Sequence, residues 1–299
     1  MQIIKHSKKY LIISGLLILF CVVGIFYRGL NIGIDFAGGS LLQITYIGER
    51  PAITTLQSTL SDTGIRASVQ YFGEEDIIIR SEFLGEEKYQ KLTTVLLAKN
   101  EKNKVSIVKF ESTGPLVSNE LRKKAYIAIT LVVLGIVLYI AFAFRHSSDV
   151  VSSWKYGLIA IIALVHDITI PLGVWAWLGL EINSFFVIAI LSILGLSVND
   201  TIVVFDRIRE NILKNKIEKV YQSFPELTNA SVLQTMTRSI FTSLTLILPL
   251  FVLYLIGPDA TIEFALALLV GIIVGTYSSI FLAAPLLTLW QSKGKKVRL

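Results

Sequence analysis

Two aspartates, Asp200 and Asp206, stand in the segment SVNDTIVVFDRIREN, at the end of an apolar stretch that otherwise reads as a membrane span. An ionisable group inside a bilayer costs roughly 2.5–3.5 kcal/mol on insertion scales, so it is a functional-site hypothesis by default. Asp200 follows an uncharged run from Asn183 to Asn199 and is expected within the membrane, whereas Asp206, followed by Arg207 and Arg209, marks the cytoplasmic edge. The chemistry open to such a carboxyl is the uptake and release of a cation, a proton first of all.

Three further polar groups interrupt apolar runs. Asp167, in ALVHDITIPLG, lies about eleven residues into its run, near the bilayer midplane at ~1.5 Å per residue. It is either a structural group bonded to a neighbouring helix or a member of an ion pathway. His166 is adjacent, but neighbours at i and i+1 do not share a helix face, so it is expected to pack or bond locally rather than to form a relay with Asp167. Arg238 opens the fifth apolar run in TMTRSIFTSLT. It is either an interfacial anchor that snorkels to the cytoplasm or the ion-pair partner of Asp200. Asp200 lies ~9 Å inside the edge set by Asp206, a depth that a long side chain one or two turns into a neighbouring helix can reach. Ser239, Thr242, Ser243 and Thr245 beside it let helices approach and bond.

Other motifs carry less. GIDFAGGS, with Gly33, Gly38 and Gly39, lacks the G-K-[ST] end of a phosphate loop and reads as a turn with tight packing. Asn229-Ala230-Ser231 fits a glycosylation sequon but falls on the cytoplasmic side. Cys21 is the only cysteine, which excludes an intrachain disulfide and argues against a thiolate metal site. No ATPase motif, metal site or nucleophilic triad stands out, so neither a cofactor nor enzymatic activity is expected.

The elements that must position these groups are membrane helices. Hydrophobic residues make up 53% of the 299-residue chain, above the roughly 45–50% of soluble domains. Runs near the ~20 residues a bilayer needs occur six times, at 10–27, 125–144, 156–179, 184–205, 239–257 and 262–290. The first has a basic lead-in, but bulky Phe26-Tyr27-Arg28 follows where a cleavage site would need small residues, so it is expected to be retained. The net charge of +6 comes from residues flanking the runs, so it is topogenic and does not point to nucleic acid. Lys5, Lys8, Lys9, Arg145, Lys155, Arg207, Arg209, Lys214, Lys216, Lys219, Lys293, Lys295, Lys296 and Arg298 fall on one side. The short loops near Gly179–Asn183 and Gly257–Thr261 have no Lys or Arg. The positive-inside rule then places both termini in the cytoplasm.

The long segment after the first run falls outside. Ser40–Ile47 alternates like a strand, 51–63 has a helical period, Ala67–Phe72 and Asp76–Arg80 are short strands around Gly73, 85–99 is a second helix and Lys104–Glu111 a last strand. The order β-α-β-β-α-β suggests a ferredoxin-like α+β sandwich. The predicted organisation is a polytopic α-helical membrane protein with six transmembrane helices and a small ferredoxin-like outer domain between helices 1 and 2. Its parts are the N-terminus and first helix (1–27), the outer domain (28–122), a five-helix bundle (123–290) and a basic tail (291–299). The outer domain has no cysteine or histidine, and over 28–124 its thirteen Lys and Arg nearly balance twelve Asp and Glu. It is expected to steer or weakly bind unfolded polypeptide and to perform no chemistry.

GLNIGIDFAGGS, VHDITIPLG, SVNDTIVVFDRIREN and GTYSSIFLAAPLL, in that order, resemble the SecF branch of the SecD/SecF family, membrane subunits of bacterial protein export within the resistance-nodulation-division superfamily. The resemblance covers almost the whole chain. It implies six helices, a ferredoxin-like periplasmic domain and a SecD partner in the inner membrane. It also implies use of the proton-motive force to assist preprotein translocation through the SecYEG channel, with YajC and membrane lipid as further contacts. The family's proton-coupling Asp and Arg fall on Asp200 and Arg238, with Asn199, Asp167 and Asp206 as supporting candidates. Two features depart from the family pattern: Leu196 where a Tyr is commoner, and Pro249 in the fifth span, which removes a backbone bond.

The leading expectation is an auxiliary secretion subunit in which Asp200 exchanges a proton as its partnership with Arg238 changes, and the outer domain moves with it. A small-molecule exporter of the same superfamily and a non-transporting translocon scaffold are the alternatives. The topology is tested by cysteines introduced at Ser68 and Ser292, which should label from opposite sides of the membrane; labelling from one side ends the six-span arrangement.

Overall fold

The structure, a computed structural model, describes residues 2–48, 50–98, 104–145 and 151–292. Lys99 and the basic tail residues Lys293, Lys295, Lys296 and Arg298 lie outside the described residues. The chain divides into two compact units, Met1–Asn31 with Ile127–Leu299, and Ile32–Tyr126.

Six helices are long and apolar enough to cross a membrane, Ile4–Arg28, Pro115–Ala143, Ser153–Leu178, Ser184–Glu218, Phe224–Ile256 and Thr261–Gln291. The chain is thus a polytopic helical membrane protein. Several helices outrun the apolar stretches that announce them. The fifth begins fifteen residues before residue 239 because Ser223 and Glu226 form a reciprocal capping box, with Pro225 in the first turn; that pair satisfies two of the donors a helix start leaves open. Arg238 therefore sits within a continuous helix and does not open one. The fourth helix likewise runs past Asp206 to Glu218 and stops at Lys219, whose φ is 55°.

Packing in the bundle is uneven. The third helix packs on the first, fourth and sixth, and the sixth also on the fourth and fifth. Half of the apolar window of the third helix and two thirds of that of the sixth are buried, against 6% for the second. Close approach needs small residues. A Cβ at Gly173 would overlap Cys21 of the first helix, one at Gly271 would overlap Ile193 of the fourth, and one at Gly275 would lie 3.2 Å from the Ser197 Cβ. The sixth span is interrupted by a π-helical segment, Ser279–Ala283. Pro285 follows it, and its missing N–H breaks the regular α ladder there.

The other unit has strands β1 (Gly39–Ile47), β2 (Ala67–Phe72), β3 (Asp76–Ser81) and β4 (Lys104–Thr113), with helices Ile53–Asp62 after β1 and Glu86–Ala98 after β3. The antiparallel sheet has the order β2-β3-β1-β4. Period-two alternation in β1 buries Leu42, Ile44 and Tyr46, and these pack with Ile77 and Ile79 of β3 and Leu56, Leu60, Leu92 and Leu96 of the two helices in one core. That is why strand alternation was readable in the sequence.

GIDFAGGS forms a one-turn helix, Ile34–Ala37, that ends on Gly38 before β1 begins at Gly39. Gly38 and Gly39 have φ of 76° and 125°, conformations that side chains resist. A Cβ on Gly39 would also come 2.6 Å from the Ser81 carbonyl oxygen across the sheet. The Arg122 guanidinium donates to the Phe36 carbonyl and fixes the same turn from the far end of the unit. Gly39→Ala should therefore destabilise this unit by about 1–3 kcal/mol. Gly73→Ala, at a positive φ in open space, should cost only about 1 kcal/mol. Thermal unfolding of the 32–126 segment measures both; equal shifts would mean that the close approach to Ser81 carries no weight.

Candidate functional site

Asp167 is at the middle of the third helix and 0% exposed. Its carboxyl accepts from Ser278 Oγ of the sixth span at 2.7 Å and from Ser197 Oγ of the fourth helix. His166, also 0% exposed, places Nδ1 2.8 Å from Asp167 Oδ1. Successive side chains diverge by about 100° around a helix, which is why local bonding and no relay was expected of His166. The imidazole Nδ1 lies close to the backbone, however, and reaches the adjacent carboxyl locally. Pro171 follows four residues on inside the same helix, so it cannot donate to the Asp167 carbonyl.

The fourth helix connects this cluster to Asp200. Ser197 and Asp200 are three residues apart and share a face. Together with Asn199, Thr242, Ser243 and Thr276 they line a cavity of about 50 Å³. Ser243 of the fifth helix and Thr276 of the sixth join hydroxyls at 2.5 Å across it. The absence of a side chain at Gly275, which lines the same cavity, lets the sixth helix come this close.

Asp200 is half-buried in this wall. Arg238 is the charged group that acts on it electrostatically, yet no ion pair at 4.0 Å or less joins the two among the described residues. Their depths match. Asp200 is sixteen residues from the helix end at Ser184, ~24 Å, and Arg238 eighteen from the end at Ile256, ~27 Å, at 1.5 Å per residue. Arg238 is exposed on the fifth helix, and its carbonyl accepts from Thr242 Oγ1 at 2.9 Å.

The remaining candidates separate. Asn199 is exposed beside Asp200 at the cavity wall. Asp206 is tied to Arg209 at 2.8 Å with 57% of its side chain exposed, a wet-edge ion pair outside the cavity. Sequence reasoning missed Ser197, Ser278, Thr276 and Pro171. The serines and Thr276 carried no signal beyond small residues in apolar runs; Pro171 was visible in VHDITIPLG. Among the described residues no group of three His, Cys, Asp or Glu is placed to hold a metal ion.

Known proteins share this arrangement of helices. Residues 93–293 match the model of the protein export membrane protein SecD/SecF C-terminal family, and residues 23–46 match the SecD/SecF GG motif. The protein translocase subunit SecF of Thermobaculum terrenum is 39% identical over 308 residues, covering 98% of this chain and 94% of the relative. That of Desulfurispirillum indicum is 37% identical over 288 residues, covering 94% and 88%. The crystal structure of SecDF from Thermus thermophilus, a translocon-associated membrane protein, superposes with a TM-score of 0.81 at 32% identity, over 98% of this chain. The chain spans 39% of the length of that solved protein. It belongs to the SecD/SecF family of protein-export membrane proteins.

Proposed function

We propose that this protein is an auxiliary subunit of the Sec preprotein translocase that works with SecD and draws on the proton-motive force through Asp200 and Arg238. The observation that carries the coupling step is a carboxyl in a polar cavity inside a spanning helix, level with a cation but not bonded to it. A group that must change its state cannot be fully tied down. Asp200 has electrostatic influence from Arg238 and room for water, since about 50 Å³ exceeds the ~10–15 Å³ that one water needs. A proton entering from one side of the membrane and leaving to the other requires this freedom.

The rest of the assembly follows the same reading. The protein is a multi-pass protein of the bacterial inner membrane with both termini cytoplasmic. The unit at 32–126 is a ferredoxin-like periplasmic domain; its element order and antiparallel strand order support that assignment. SecD supplies the part of a SecDF-type assembly that lies beyond this chain, and SecYEG, the translocating preprotein, YajC and lipid are the surroundings. Asn199 supports Asp200 at the cavity wall, Asp167 supports it from behind Ser197, and Asp206 helps fix the cytoplasmic end. The role is mechanical rather than enzymatic.

One export assay in sealed vesicles, with and without an imposed proton gradient and at matched expression, tests the coupling. Asp200→Asn should insert normally and abolish gradient-driven export, because it removes the exchangeable proton. Arg238→Ala should be as harmful, because it removes the cation that sets the carboxyl's state. The double variant should be no worse than either single one, since both act on one step; independent, additive losses would show two separate mechanisms. Asp206→Asn should be mild, an exposed ion pair being worth about 0–1 kcal/mol. Normal export by Asp200→Asn would favour a scaffold, and a small molecule carried by the chain without SecD would favour an exporter.

A further inference from the structure

The wholly buried pair His166–Asp167 is left unused by a mechanism confined to Asp200 and Arg238. Asp167 is held by three donors from three helices, His166 Nδ1 at 2.8 Å, Ser278 Oγ at 2.7 Å and Ser197 Oγ. Among the described residues no lysine or arginine forms an ion pair with it; His166 is its only basic partner. The other ring nitrogen, His166 Nε2, is buried without a hydrogen-bond partner there. The titratable groups on the elements packed against the pair are few. Tyr277 on the sixth span has its ring centroid 6.2 Å from the imidazole, Cys21 on the first helix lies against the Ile170 carbonyl, and Tyr10 offers its carbonyl to the Tyr277 hydroxyl. Asp200 stands one turn from Ser197 on the fourth helix.

This chemistry differs from that of a purely structural carboxyl. With a neutral imidazole the pair carries one negative charge; with one further proton, on ring or carboxyl, it carries none. It can thus hold or give up a proton with a change of one buried charge and little movement. Ser197 joins it to the coupling site, because the hydroxyl bonded to Asp167 belongs to the residue that lines the Asp200 cavity. A hydroxyl donates and accepts at once.

We propose that His166 and Asp167 form a second proton-holding centre in exchange with the Asp200 cavity through the Ser197 hydroxyl. The proposal rests on the reading of Asp200 as the coupling carboxyl. The exchange makes and breaks only N–H and O–H bonds. A proton on the imidazole passes from Nδ1 to Asp167 Oδ1. The carboxyl then turns its protonated oxygen to Ser197, whose hydroxyl turns its own hydrogen from Asp167 to water in the cavity; the carboxyl proton passes to Ser197 Oγ as the serine proton leaves to that water and so to Asp200. The reverse sequence reloads the pair, and no oxidant, metal or cofactor takes part.

The test uses the chain together with its SecD partner in sealed vesicles. His166→Asn keeps an N–H donor near the position of Nδ1 but carries no exchangeable charge. It should accumulate and melt like the wild type yet lose the gradient-dependent part of export, and Ser197→Ala should lose it too. Normal gradient-driven export by either variant, beside a dead Asp200→Asn, overturns this proposal and leaves the Asp200 reading standing. Normal export by Asp200→Asn overturns both. A measurement on the intact site covers the case in which His166→Asn fails to fold. The chain has three histidines, so with His6→Gln and His146→Gln the remaining ¹⁵N-imidazole signal belongs to His166. That signal should change in Asp200→Asn at unchanged buffer composition, because a ring in proton exchange with the cavity responds to the loss of its acceptor, and it should stay unchanged in Asp206→Asn. A His166 signal unaffected by Asp200→Asn overturns the proposal.

Discussion

A carboxyl taken out of water must be met by donors, and the way Asp167 is met fixes where three membrane helices cross. Its hydrogen bonds come from its own helix, the fourth and the sixth. A hydrogen-bond partner removed from a buried polar group leaves a penalty of about 1–3 kcal/mol, so the crossing point tolerates little drift. Geometry elsewhere serves it. Gly275 brings the sixth helix against Ser197, Gly271 admits Ile193, and Gly173 lets the first helix rest Cys21 on the third. The change to π geometry begins at Ser279, directly after the Ser278 hydroxyl that reaches Asp167. Of these small residues, Gly275 bears on the carboxyl directly, because it faces the serine that donates to Asp167.

Asp200 is treated in the opposite way. It stands three residues along the same helix from Ser197, and Arg238, among the described residues the charged group acting on it, holds no ion pair with it. Asp167 is enclosed by donors from three helices, whereas Asp200 faces a polar cavity. Cavity lining reinforces the difference. Hydroxyls of Thr242, Ser243 and Thr276 can rotate between acceptor and donor roles and line open space, whereas three groups from three helices converge on Asp167.

Much of this was legible in the sequence, and the failures have physical causes. A charge inside an apolar run is conspicuous, so Asp167, Asp200 and Arg238 could be named before any coordinates. The strands of the 32–126 unit were legible because Leu42, Ile44 and Tyr46 alternate with polar residues, and because Gly64 and Gly73 mark the breaks. Helix lengths were less legible. Hydropathy reports where a helix meets lipid, while caps such as Ser223 with Glu226 decide where it starts, and the two differ by fifteen residues in the fifth span. The His166–Asp167 contact went against a sound rule about helix faces, because the rule describes where side chains leave the helix and not how far an imidazole can turn back. Ser197 and Ser278 were illegible for another reason: a serine among apolar residues looks the same whether it caps its own backbone or crosses to a carboxyl.

The matched depth of Asp200 and Arg238 explains why an unbonded pair is the informative arrangement. An arginine ~27 Å along a span, in a hydrocarbon core about 30 Å thick, has two favourable destinations. It can snorkel to the interface, where water solvates the guanidinium, or it can turn inward to the carboxylate. Lysine would suit only the first; a planar guanidinium with five donors can trade one for the other while keeping part of its hydrogen bonding. In the proposed coupling step, the inward arginine would be the partner of the carboxylate and the outward one would leave the cavity to a proton.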